Sequence, residues 1–146
     1  MNAATPPSAG PDLSSLRRRH LQFGWTSLLL FVLLGGVLEA MHGFKVDWYL
    51  AVGNETQRLL WRLAHAHGTF LSLVHVAFAM SLAACVRAPR LGSACLCSAA
   101  LAVPLGFLAG AFGVQGGDPG LGIVLVPVGL VLLVVAIVDL LRSLAR

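Results

Sequence analysis

Five residues have side chains and spacings that could do chemistry together. Glu39 and His42 lie three apart at the end of one apolar run, and His65, His67 and His75 fall within the next. An ionisable side chain in a bilayer costs roughly 2.5–3.5 kcal/mol on insertion scales, so several close together imply a site that uses them. Imidazole and carboxylate are the donors that transition metals, haem iron and proton relays require. His42, His65, His67 and His75 are therefore the candidate cofactor ligands. Glu39 joins them as a further metal ligand, or as the partner that orients an imidazole.

Helical phase sorts the set. Glu39 and His42 share a face. Arg58, Arg62, His65, Thr69 and Ser72 recur at spacings of four and three, which draws one polar stripe along a helix. His75 flanks that stripe, about 60° from Ser72 at ~100° per residue. His67 lies roughly 200° from His65 and points elsewhere on a regular helix. One straight helix cannot bring all three histidines to one ion. Either they serve different sites, or the helix is irregular near Gly68.

The elements that must position these residues are membrane spans. Of the 146 residues, 58% are hydrophobic and 11% charged, more apolar surface than a soluble domain of this size can hide. A bilayer core needs about 20 apolar residues per helix. Four segments qualify, over residues 21–41, 59–86, 91–114 and 121–141, giving an all-α integral membrane four-helix bundle over residues 17–146. Residues 1–16, rich in Pro, Ala and Ser, read as a disordered cytoplasmic tail. Seven basic residues fall on one side of this topology: Arg17, Arg18, Arg19, Arg87, Arg90, Arg142 and Arg146. Lys45, Arg58 and Arg62 fall on the other. The positive-inside rule then sets both termini in the cytoplasm, N-in and C-in, in a plasma membrane of the bacterial inner-membrane type. Trp48, Tyr49 and Trp61 suit an aromatic belt at the outer interface. The net charge of +4 belongs to these loops and tails, and no basic patch interleaved with aromatics suggests nucleic acid.

Packing signals accompany the spans. Gly106 and Gly110 stand at GxxxG spacing with Gly113 beyond, and Gly35 and Gly36 offer similar close approach in span one. Pro104 and Pro127 fall inside spans three and four, where each should kink its helix. Gly116-Gly117-Asp118-Pro119-Gly120 reads as a tight turn joining those spans. Cys85, Cys95 and Cys97 give no even disulfide framework and read as small core residues, with a metal relay as the alternative. His20, beside three arginines, reads as ordinary flanking sequence. Arg58 and Arg62 should snorkel to the surface. Asp139 and Arg142, three apart, should form an ion pair.

At Leu63-Ala64-His65-Ala66-His67-Gly68-Thr69 the chain resembles the haem–copper oxidase subunit I superfamily, where a histidine followed by glycine on an apolar helix ligates a low-spin haem. It is also similar to small four-span proteins related to that subunit, whose second helix bears a His-x-His element. The resemblance implies a haem or metal site on spans one and two, or one completed by a second copy, with His67 in the position of the haem ligand. Spans three and four contain no histidine, so an oxygen-reducing centre within one chain is not implied.

Three functions follow as expectations. The first is binding of haem or of a transition metal (Cu, Fe or Zn) in the outer half of the bilayer, accessory to a respiratory or electron-transfer complex. Its sharpest form is a bis-histidine haem between spans one and two. The second is a small transporter or proton and ion relay along the same polar stripe. The third is a structural subunit whose Gly-rich spans meet a second copy or a larger membrane complex. No Ser–His–Asp set, phosphate-binding glycine loop or HExxH pattern points to an enzyme acting on its own.

Overall fold

Residues 13–144 are described by the structure, a computed structural model, and they are helical with no strand among them. The elements are α1 (Leu13–Gly43), α2 (Asp47–Leu50), α3 (Glu55–Ser81), α4 (Arg90–Phe112) and α5 (Leu125–Leu144). Short 3₁₀ turns precede α3, follow it, and precede α5. Four helical segments, Leu13–Gly43, Val52–Ala84, Arg90–Phe112 and Leu121–Leu144, are long and apolar enough to cross a membrane. The tail expected over residues 1–16 lies outside the described residues as far as residue 12. From Leu13 onward the chain is already helical, because Leu16 has a buried place among Phe78, Leu82, Leu96 and Ala136. Arg146 also lies outside the described residues.

The long helices pack in chain order, α1 on α3, α3 on α4 and α4 on α5. Their ends alternate. Val86 N–H donates to the Ser143 carbonyl at 2.9 Å at the end that carries Arg17–Arg19. Thr56 Oγ1 donates to the Gly117 carbonyl at 2.9 Å at the other. The first is called the basic end, the second the aromatic end. There Trp48 and Tyr49 gather on Trp61, with the Tyr49 ring stacked at 6.2 Å and 7°. Helix α4 is central, with 56% of its apolar window buried against 11% for the last span. Outward faces such as Leu29, Leu30 and Leu33 on α1, and Val131, Val134 and Leu141 on α5, are exposed. Apolar faces of that extent need lipid or a partner.

Glycine sets the seams. A Cβ on Gly129 would come 2.4 Å from Val103, and one on Gly122 2.4 Å from the Ala109 Cβ. The Gly106 face of α4 is filled by Leu125 and Val126 of α5, so the GxxxG element closes a seam within the chain. Gly116 (φ +59°) and Gly117 (φ +92°) make the tight turn expected before the last span, in a region of φ that favours glycine. Pro104 stands inside α4, whereas Pro127 falls in the first turn of α5, where no intrahelical donor is lost.

The expected Asp139–Arg142 pair is replaced by a longer-range one. Arg87 Nη2 donates to Asp139 Oδ1 at 2.8 Å, and the Gly92 N–H donates to Oδ2 at 2.8 Å. Gly92 is in the first turn of α4, where backbone N–H groups lack intrahelical acceptors, so Asp139 caps that helix from its neighbour. Asp139→Ala should lower stability by about 2 kcal/mol, the order of two charge-assisted bonds net of solvation. Arg142→Ala should change it little. Thermal unfolding of both variants in detergent checks this, and equal losses would restore the local pair.

Candidate metal centre

Three helices converge near the basic end. His20 lies seven residues past the start of α1, Cys97 seven past the start of α4, and His75 six before the end of α3. At 1.5 Å per residue all three stand roughly 10 Å inside the bundle. The approach of α1 to α3 depends on Gly24, whose Cβ would meet the Ser72 carbonyl at 2.9 Å and the His75 Cβ at 3.2 Å. On α4, Ser93 and Cys97 share a face at i, i+4. Leu16, His20 and Gly24 repeat the same spacing on the buried face of α1.

His20 and His75 are almost wholly buried, at 2% and 0% exposure. Their Nδ1 atoms are 2.8 Å apart, and His20 Nε2 lies 2.7 Å from Ser93 Oγ. Phe23 stands against His75 at 4.3 Å between ring centroids, and Phe78 against His20 at 4.5 Å. Aromatic walls thus close two sides. One ligand atom each from His20, His75 and Cys97 lies within 4.8 Å of the other two, a group that could hold a metal ion. Among the described residues it is the one group of three such side chains that could. A cavity of about 190 Å³, lined by Arg19, His20, Gln22, Phe23 and Cys97, opens beside it.

The hydrogen bonds fix the proton count. A bond between two Nδ1 atoms contains one proton, given by one ring and accepted by the other. When His20 donates, its Nε2 is bare and accepts from the Ser93 hydroxyl, and His75 has its second proton on Nε2. When His75 donates, His20 Nε2–H donates to Ser93, and His75 Nε2 is bare. In both arrangements His75 Nε2 is a buried polar atom with no hydrogen-bond partner.

The residues singled out by sequence are placed differently. His75 belongs to this centre. Glu39, His42, Arg62 and His65 line a cavity of about 720 Å³ between α1 and α3 toward the aromatic end. Arg62 Nη2 lies 3.4 Å from His42 Nδ1. His65 Nδ1 is 2.7 Å from the Phe31 carbonyl, which only accepts, so Nδ1 carries the proton and Nε2 the lone pair. His67 is on the opposite side, as its phase requires. Its Nδ1–H donates to the Leu63 carbonyl at 2.9 Å, and its ring lines an apolar cavity of about 450 Å³ with Phe70, Val103 and Leu130. The helix shows no irregularity at Gly68.

Of the expected ligands, Glu39, His42 and His65 meet at one cavity, while His67 and His75 lie apart from it and from each other. His65 and His67 diverge on a regular helix, and His75 is drawn to α1 near the opposite end. For the bis-histidine haem expected between the first two spans, His42 of α1 and His65 of α3 share one cavity. A Cβ on Gly35 would fall 2.3 Å from the His65 ring and one on Gly68 2.4 Å from the Phe31 ring, so the helices approach closely at these two levels. At the third close approach, His20 and His75 stand at 2.8 Å. Axial ligation from opposite sides of an iron would hold the two nitrogens roughly 4 Å apart, at metal–nitrogen bonds of ~2.0–2.1 Å.

His20 is the residue that sequence reasoning passed over, and Cys97 reads first as core, with a metal role only as the alternative. A run of arginines masks His20 as flanking sequence, and cysteines in an apolar span read as core. The usable signal was the i, i+4 alignment of Leu16, His20 and Gly24, which puts the imidazole on a face made for close helix approach. Comparison with protein-family models, curated proteins and solved structures finds no match to this chain.

Proposed function

We propose that this chain is an integral membrane protein that holds one transition-metal ion between α1, α3 and α4, through His20, His75 and Cys97. The observation that carries the reading is the mutual 4.8 Å approach of two imidazoles and a thiol. Two of the three residues are buried. Imidazole with thiolate is a donor set for copper, zinc or iron. The exposed apolar faces of α1 and α5 are what a bilayer requires. Arg17, Arg18, Arg19, Arg87, Arg90 and Arg142 favour the basic end as the cytoplasmic one. The metal then lies in the inner half of the membrane.

Detergent-purified protein reconstituted with Cu, Zn or Fe should retain one ion per chain after desalting. His20→Ala, His75→Ala and Cys97→Ala should each lower retention at least tenfold, while Glu39→Ala and His67→Ala should not. Retention that follows Glu39, His42 and His65 instead would move the site to the aromatic end.

The chain of bonds Ser93–His20–His75 favours a second reading, a proton relay. Its two arrangements interconvert when a proton enters at Ser93 Oγ, the Ser93 and His20 protons each pass to the next side chain, and one proton leaves from His75 Nε2. Proton flux into proteoliposomes should then fall to the background of empty vesicles in His75→Ala. Flux indifferent to both histidines would eliminate it.

A further inference from the structure

We infer that the ion is copper(I), selected over zinc(II) by the charge and number of the donors; this rests on the metal site proposed above. Two neutral imidazoles and one thiolate carry a charge of −1. A monovalent ion makes the assembly neutral, whereas a divalent ion leaves a net positive charge among Phe23, Phe78 and apolar helix faces. Uncompensated charge in such surroundings is strongly disfavoured.

Nothing nearby offsets it. No carboxylate belongs to the group. Asp139, the acidic residue in the described part of α5, is engaged by Arg87 and the Gly92 N–H. The charged side chain that lines the adjoining cavity is Arg19, a cation, which weighs further against a second positive charge.

Coordination number gives the same answer. Zinc takes four ligands in a tetrahedron, so a site of three protein donors must add a water to hold it. Here three His or Cys donors converge, and the Ser93 hydroxyl beside them is bound to His20 Nε2. Three donors including a soft thiolate suit copper(I). Binding balances simply: the Cys97 thiol loses its proton to solvent as the copper–sulfur bond forms, and no electron is transferred. Ligation through the two Nδ1 atoms puts both ring protons on Nε2, where His20 donates to Ser93. From 2.8 Å the rings part by about 0.7 Å to span a trigonal ion, at metal–nitrogen bonds near 2.0 Å.

The test uses the full chain in detergent under strictly anaerobic, reducing conditions. Copper(I) is titrated against a chromogenic copper(I) chelator, zinc(II) against a chromogenic zinc chelator, and the copper-loaded protein is examined by X-ray absorption. Expected are one copper(I) per chain, a three-coordinate shell of two nitrogens and one sulfur, one proton released per ion, and zinc affinity at least 1,000-fold weaker. Cys97→Ser should weaken copper(I) binding at least 100-fold with helical content unchanged, and Cys85→Ser and Cys95→Ser should not. Zinc bound as tightly as copper(I), with four ligands, overturns the copper assignment and leaves the metal site standing. Binding of neither ion overturns both. Copper(I) that survives Cys97→Ser but not loss of Cys85 or Cys95 overturns the donor set.

Discussion

His20→Leu/His75→Leu should unfold at nearly the wild-type temperature while retaining no metal, although each single replacement is destabilising. His75→Leu leaves His20 Nδ1 buried with no partner, and His20→Leu orphans His75 Nδ1. An unsatisfied buried polar atom costs about 1–3 kcal/mol, whereas removing both partners for apolar groups of similar size is close to neutral. In the double variant Ser93 alone loses a bond. A hydroxyl on a helix can turn back to the carbonyl four residues earlier, as Ser72, Ser81 and Ser143 do here at 2.7–2.9 Å. The two replacements should therefore couple by nearly the sum of the single costs, about 2–6 kcal/mol in a double-mutant cycle. Metal retention behaves otherwise, because two of three donors are gone in the double variant. Thermal unfolding and metal content measured on the same four proteins separate the two roles. Strictly additive destabilisation would mean that the Nδ1–Nδ1 bond contributes nothing. Metal retained by the double variant would remove the histidines from the site.

The spans could be read from sequence because length and hydropathy alone decide whether a helix can cross a bilayer. Each of the four apolar runs is found as a long helix. Their ends were less legible. Helix α1 reaches back to Leu13 because Leu16 is held by side chains from α3, α4 and α5, a tertiary contact invisible to local composition. The phase argument separated His65 from His67 correctly, since it needs only a regular helix. It could not say which face of α3 meets α1 at which level. That depends on Gly24, Gly35 and Gly68, each of which admits a different residue from across the seam. Gly24 admits α3 closely enough for His75 to reach His20. A polar residue deep in an apolar span was thus a sound signal at His75, but its partner lay in a stretch whose charges described the membrane boundary. Asp139 shows the same limit: i, i+3 spacing proposed Arg142, while the α3–α4 connection brought Arg87 to 2.8 Å.

Gly35→Ala and Gly36→Ala, one residue apart, should move stability in opposite directions. A Cβ at Gly36 meets nothing within 4 Å, so alanine there adds only its better helix propensity, a gain of up to about 1 kcal/mol. At Gly35 the new carbon would lie 2.3 Å from the His65 ring and 2.8 Å from both of its nitrogens. The ring is a movable end, so the backbone need not shift. It is nevertheless held by Nδ1–H to the Phe31 carbonyl at 2.7 Å, and swinging clear breaks that bond. Overpacking of this kind costs about 1–3 kcal/mol. The displaced imidazole should also leave the cavity it shares with Glu39, His42 and Arg62, so the NMR signal of the His65 ring should change in Gly35→Ala and not in Gly36→Ala. His65→Ala should rescue Gly35→Ala, because the clash is with that ring alone among the three nearest atoms. Equal effects at the two glycines, or no rescue, would place the α1–α3 seam in a different rotation about α1. The approach of His75 to His20 would then lose its basis as well, since Gly24, Gly35 and their partners on α3 belong to one rigid helix pair.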